Sequence, residues 1–404
     1  MLGERIKKLR KQKKLTLEAL AGNELSKGML SLIENNKANP SMESLTYIAK
    51  QLGVDVGDLL DTVSSEELRG ILEKAEKIYN DDDPKMTDKN NQLIKLIEPL
   101  SDVLPQGYEA ARLLEIYSYS LWKEKKANWL EASESAAKMF EQLNISSNRA
   151  SIAIFWVNLR FLEHQYEESL TIFLQERKII ETTFGYIDPL TRLDLDYRES
   201  ILHFAVGNSQ SAIRIMENAI QFSKEKKIFY RIDDLYRLAA CEGMISRDEK
   251  KKDFYLEKLR QYGEFADNTF SIHFYKLFHI MGLISEEQEY EKALEEIDQL
   301  LTDSDTDGFY NTWFILEKGK ACYYLGRYEE ALLLLNKVVI PDVHHPFDLS
   351  IFYVMDTFKA LCQLKLGDKK AALNSVKQAY GNFNLLPSTP FKEFTLKIYK
   401  EIQS

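Results

Sequence analysis

The sequence predicts an all-α chain in two parts, a small N-terminal bundle followed by a long run of paired helices. Three observations carry this expectation. Glycine and proline are scarce, 17 and 9 among 404 residues, and apolar positions recur at helical spacing from the start. Charge is unevenly divided: residues 1–40 hold nine Lys and Arg against four Asp and Glu, while residues 62–404 hold 43 against 55. A small side chain returns at Ser169, Ala212, Ala293, Ala331 and Ala372, and with a weaker unit near 247–260 the spacing runs near 40 residues.

Composition narrows the class. The chain is too long for one core, and its 45% apolar and 29% charged residues are an ordinary globular balance. No apolar run reaches the ~18 residues of a membrane span, and the basic first fourteen residues lack the apolar stretch of a signal peptide. Cys241, Cys322 and Cys362 are odd in number and far apart. They read as reduced, small apolar residues of a cytoplasmic protein.

The first sixty residues divide into five short helices. Leu2–Gln12 carries Ile6 and Leu9 on its apolar side. Thr16 caps a second helix through Ala21, and Gly22-Asn23 is a turn. Ser26 caps a third, Lys27–Glu34, with Leu30 and Ile33 facing in. Asn35-Asn36 ends it and Pro40 blocks its resumption. Ser41 opens a fourth helix with Leu45, Ile48, Ala49 and Leu52, and Asp55 opens a fifth with Leu59 and Leu60.

Two helices joined by a tight turn within such a bundle form a helix-turn-helix layout. Residues 3–60 resemble the lambda-repressor/Cro-type (XRE) domain. Leu15-Thr16 with Leu20-Ala21, then Ser26 followed by Leu30-Ser31 and Ile33-Glu34-Asn35, then Pro40-Ser41, then Ile48-Ala49 and Leu52-Gly53-Val54 occur in the family's order. The resemblance implies that the third helix enters the DNA major groove. Lys27, Gly28 and Leu32, with Ser31, would face bases, while Ser26 and Asn35, Asn36 and Lys37 lie near phosphates. It also implies that Arg10 and Glu34 pair to join the first and third helices. Leu17 stands where the family usually has glutamine, which removes a phosphate contact. Gly28 has no side chain and Leu32 offers only an apolar contact to a thymine methyl. Direct readout therefore rests mainly on Lys27, and shape, phosphate contacts and dimeric spacing supply the remaining specificity.

Residues 62–80 continue as a helix striped by Leu68, Ile71, Leu72, Ala75 and Ile78, and DDDPKMTD breaks it as a hinge. We read residues 1–61 as the DNA-binding domain, 62–89 as linker helix and hinge, and 90–404 as a repeat domain closed by a capping helix at its end. The clearest repeat is 313–342, where Gly319, Gly326, Tyr328 and Ala331 fall where the tetratricopeptide repeat (TPR) has small residues and an aromatic. Small residues let two antiparallel helices approach closely. Stacked pairs make a right-handed superhelix with a concave groove suited to an extended peptide. Counting from each turn places Asn158, Tyr197, Arg198, Arg237, Asn311, Glu317 and Lys320 on that groove. Asparagine can bond a peptide backbone in both directions, and arginine can clamp a carboxylate.

Enzyme motifs are missing: there is no P-loop, GxSxG or HExxH. His344-His345 and the runs Asp81–Asp83 and Asp303/Asp305/Asp307 read as loops, so neither metal nor cofactor is expected. A Cro-type head on TPR pairs resembles the Rap/Rgg/NprR/PlcR/PrgX family of peptide-responsive quorum-sensing regulators, with residues 26–49 nearest the NprR branch. The family implies a homodimer or higher homo-oligomer that binds double-stranded DNA under control of a short signalling peptide. Two other readings stay open, a TPR adaptor for a response regulator of the sporulation pathway and an element-borne repressor with no peptide ligand.

Overall fold

The computed structural model describes residues 2–60, 63–81, 87–302 and 308–403, and among these there is no strand. The all-α expectation holds. The core of the expected hinge, Asp82–Met86, and the aspartates at 303, 305 and 307 lie outside the described residues. None of the helices described is long and apolar enough to cross a membrane. Contacts gather into two units, residues 1–152 with 182–186, and residues 153–181 with 187–404.

The first unit begins with α1 (Leu2–Gln12), α2 (Leu17–Ala21), α3 (Lys27–Glu34), α4 (Met42–Leu52) and α5 (Val56–Leu60). The caps expected at Thr16, Ser26 and Ser41 are in place. The Thr16, Ser26 and Ser41 hydroxyls accept from the N–H groups of Ala19, Met29 and Ser44 at 3.1, 3.1 and 3.2 Å. Ile6, Leu20, Leu30, Ile33, Leu45, Ile48, Leu52 and Leu59 close a common core. α6 (Ser65–Tyr79) follows with Leu68 and Ala75 buried, and then α7 (Lys89–Ile97), α8 (Tyr108–Lys123) and α9 (Trp129–Gln142). Arg112 of α8 ties back to Glu76 of α6 at 2.6 Å.

α10 (Ser146–Leu162) runs from the first unit into the second, and α11 (Tyr166–Thr183) pairs with its C-terminal part. Hairpins follow: α12 (Pro189–Ala205) with α13 (Ser209–Lys226), α14 (Ile232–Ser246) with α15 (Glu249–Phe265), and α16 (Thr269–Gly282) with α17 (Tyr290–Thr302). Next come α18 (Gly308–Tyr324) with α19 (Tyr328–Lys337), then α20 (Pro346–Lys365) with α21 (Lys369–Phe383) and the closing α22 (Pro390–Gln403).

One device recurs through these pairs. A residue with left-handed backbone turns the chain, and the small residue stands five positions later: His164/Ser169, Gly207/Ala212, Gln288/Ala293, Gly326/Ala331 and Gly367/Ala372. All five small residues are wholly buried. Close approach is real at Gly319, where a Cβ would stand 2.7 Å from Leu335 Cδ2. The weak unit obeys the same turn rule at Arg247, but Lys252 occupies the small-residue place. There the small residue sits on the facing helix: a Cβ on Gly243 would lie 2.6 Å from the Lys252 backbone nitrogen. The lysine side chain stays buried and ends on Glu249 and Glu286. This exchange is why the repeat is faint in the sequence.

Candidate DNA and ligand sites

The candidate reading surface of the first unit is local. Lys27, Gly28, Ser31 and Leu32 share α3, and Leu32 is 45% exposed although apolar. Only the Ser26 hydroxyl, at 3.9 Å, would come near a Cβ on Gly28, so backbone there is open to close approach. Ser26 itself is engaged as the α3 cap. In the turn that follows, Asn35 donates to the Ser31 carbonyl at 2.8 Å and accepts from Lys7 Nζ at 3.2 Å. Asn36 adopts left-handed backbone, and its Oδ1 accepts from the Gly3 N–H at 2.9 Å, tying α1 to the end of α3. Lys37 is exposed.

Two further residues shape this surface. Arg10 forks onto Glu34 at 2.6 and 2.8 Å and donates a third bond to the Leu15 carbonyl at 2.9 Å. The expected ion pair therefore also pins the α1–α2 turn. Glu34 holds the guanidinium pKa above its ordinary value. The second residue, Glu18 on α2, is one that sequence reasoning missed. It forms an exposed ion pair with Lys27 and orients the ammonium across the turn. Nine positions separate them, a spacing that no single-helix pattern would flag.

The candidate ligand site is a cavity assembled from distant segments. Within the second unit, α10, α12, α14, α16, α18 and α20 enclose a cavity of about 430 Å³, within the range of small-ligand sites. Its walls are largely aromatic, with Phe161, Phe204, Phe274, Phe278, Tyr310, Trp313 and Phe347. Tyr197, Arg198 and Arg237 line it as well. Arg237 is paired with Asp233 at 3.2 Å and with Asp234, and its guanidinium lies 4.9 Å from the centre of the Phe270 ring. Arg198 has no such partner, and its Nε is enclosed without a hydrogen bond.

Burial governs the ionisable groups here. It pulls the Arg198 guanidinium below its ordinary pKa and pushes the Tyr197 hydroxyl well above. Asp348 is pushed up to about 7, against the opposing pull of Arg237, and His345 down to about 4. Arg198 and Asp348 are surrounded by protein yet keep some accessible surface, because they face the cavity. Cys241 is also on its wall, while Cys322 and Cys362 are buried.

Four expected groove residues lie off this cavity. Glu317 and Lys320 form a buried ion pair at 2.6 Å, the ammonium facing the Phe358 and Phe391 rings at 5.9 and 5.6 Å. Their register turns them into the packing against the following helices, off the cavity wall. Asn311 has its Oδ1 buried without a partner away from the cavity wall, and Asn158 is half-buried elsewhere on α10. Counting from a turn fixes height along a helix but not rotation about it. The wall residues that the sequence left unread, Asp348, Trp313 and the phenylalanines, carry no pattern apart from ordinary core composition.

Residues 3–65 match a helix-turn-helix domain family. SinR of Bacillus subtilis (strain 168), an HTH-type transcriptional regulator, is 39% identical over 84 residues, 20% of this chain and 76% of SinR. The immunity repressor of Bacillus phage phi105 is 38% identical over 79 residues, 19% of this chain, and the chain spans 55% of that repressor's length. Among solved structures, Bacillus thuringiensis PlcR in complex with the peptide PapR7 and DNA is 17% identical. That match covers 66% of this chain and 98% of PlcR at a TM-score of 0.33, a likeness too slight to carry function across.

Proposed function

The chain belongs to the helix-turn-helix transcriptional regulators that include SinR, and from that premise we propose that a short peptide in the cavity of its second unit controls its binding to an operator. The observation that carries this reading is the unpartnered Arg198 in an aromatic-walled cavity. A regulator with no ligand there would keep a buried guanidinium at a cost. Function divides the chain where its chemistry lies: a DNA-reading head over 1–61, a connection over 62–89 and a sensor over 90–404. The contact-defined units are drawn by packing and need not coincide with these boundaries.

In the head, α3 enters the major groove, with Lys27, Gly28, Ser31 and Leu32 toward bases and Ser26 and Asn35, Asn36 and Lys37 toward phosphates. One head with a single long cationic reader binds weakly. Two heads in a homodimer bind well when their separation matches half-sites about 34 Å apart. A peptide that favours one arrangement of the sensor shifts DNA affinity by its differential affinity for the two states, commonly about 1–3 kcal/mol. The protein then acts in the cytoplasm, where its operator is. The test is a titration of the full chain against a fragment upstream of its gene, with and without synthetic peptides from a neighbouring small reading frame. A peptide-dependent shift in affinity is expected. Operator binding that no peptide alters would leave an element-borne repressor, and Lys27→Ala binding as well as the parent would remove Lys27 from the reader.

A further inference from the structure

We propose that the cavity reads one end of its ligand: Arg198 seats the C-terminal carboxylate of a short apolar peptide, whose last side chains lie among the aromatic rings. This inference rests on the peptide reading above. Three observations carry it.

The first is the state of Arg198. Among the described residues it makes no hydrogen bond or ion pair, and its Nε is fully enclosed. Arginine cannot shed its proton as a buried lysine can, so only an anion or water satisfies it. The second is that the neighbouring carboxylates are already taken. Asp194 holds Arg231 at 2.7 Å and the Tyr230 hydroxyl at 2.9 Å, and Asp234 holds Arg231 at 2.8 Å and also Arg237. Arg198 is thus the one cavity arginine left for a ligand, in the forked geometry that suits a carboxylate. The third is the remainder of the wall. Phe161, Phe204, Phe274, Phe278, Trp313 and Phe347 offer rings and no charge. The volume accepts the end of a peptide rather than a whole groove-filling chain. Two further acids line the wall: burial pushes the Asp348 carboxyl up to about 7, which weakens its charge near neutrality, and Glu242 is held by Lys251 at 2.6 Å.

The experiment uses the full chain and a random library of linear pentapeptides, made once as free acids and once as C-terminal amides, with dodecanoate as a third probe. Ligands retained on the protein are identified by mass spectrometry and then titrated. Free acids with apolar last residues are expected to be retained, and their amides to bind about ten- to a hundredfold more weakly. Arg198→Gln should erase the difference between acid and amide, and Arg198→Lys should restore part of it. Acids and amides binding alike would overturn the role of Arg198 while leaving peptide control intact. Dodecanoate binding with no peptide retained would overturn the peptide terminus as the ligand, and with it the function proposed above. No binding by any probe would overturn both. Should the variants fail to fold, the acid–amide comparison on the unaltered chain decides alone.

Discussion

Two arginines separate the halves of this molecule. In the head, Arg10 spends its donors on Glu34 and the Leu15 carbonyl and locks α1, α3 and the intervening turn. In the second unit, Arg198 also lies between core and surface and makes no hydrogen bond or ion pair among the described residues. The same side chain is a finished joint in one place and an open one in the other. The first unit pairs its half-buried arginine on folding, and the second leaves one without a hydrogen-bond partner among the described residues.

The comparison breaks most visibly at the finished joint. Glu34→Ala leaves a buried guanidinium without its partner and should destabilise the head by about 4 kcal/mol. Operator binding should fall with it. Urea unfolding followed by circular dichroism checks this, and a loss under 1 kcal/mol would mean that the fork contributes little.

Acid behaviour gives an effect of similar size. The Asp348 carboxyl stands at about 7 in the fold against an ordinary 3.8. Between those values the folded chain holds a proton that the unfolded chain has released, so stability falls as pH rises through the window and stays lower above it. Asp348→Asn removes this dependence. The variant should match the parent near pH 4 and exceed it by about 4 kcal/mol at pH 8. Urea unfolding at both pH values measures it, and a constant difference between variant and parent would show that Asp348 titrates normally.

These elements also show what a sequence displays. The caps at Thr16, Ser26 and Ser41, and the turn-plus-small-residue pairs such as Gly326/Ala331, are legible because each acts within a few positions of itself. Arg10–Glu34 spans 24 positions and was legible only through family likeness. The pair Glu18–Lys27 depends on the angle between α2 and α3, which no periodicity records. The cavity depends on the rotation of six helices from 161 to 351. Tyr197, Arg198 and Arg237 fall on its wall, whereas Glu317 and Lys320, chosen by the same count, fall in the core.

Packing in the sensor sharpens the contrast at intermediate scale. Gly243→Ala drives a Cβ into the Lys252 backbone, which cannot move as a side-chain end can. The expected loss is about 2 kcal/mol, net of the alanine's better helix propensity. Gly319→Ala meets the Leu335 side chain, 2.7 Å from Cδ2 and 2.8 Å from Cγ, but no backbone atom closer than 3.6 Å, and should cost less, about 1 kcal/mol. Equal melting temperatures for the two variants would show that the exchange of small residue between facing helices does not set the spacing.

The smallest effect bears most directly on the two arginines. Arg198→Leu replaces an unpaired guanidinium by an apolar side chain in an aromatic setting, and no partner is left stranded because there is none. Stability of the unliganded chain should rise, by about 1 kcal/mol, opposite in sign to the effect of Glu34→Ala. The same substitution should abolish any stabilisation of the chain by free-acid peptide, since the gain from a ligand follows its affinity for the folded state. Thermal melts with and without such peptides read both quantities at once. A fall in stability without peptide would mean that Arg198 is a joint like Arg10, held by ordered water or a backbone group, and the open arginine of the sensor would be closed after all.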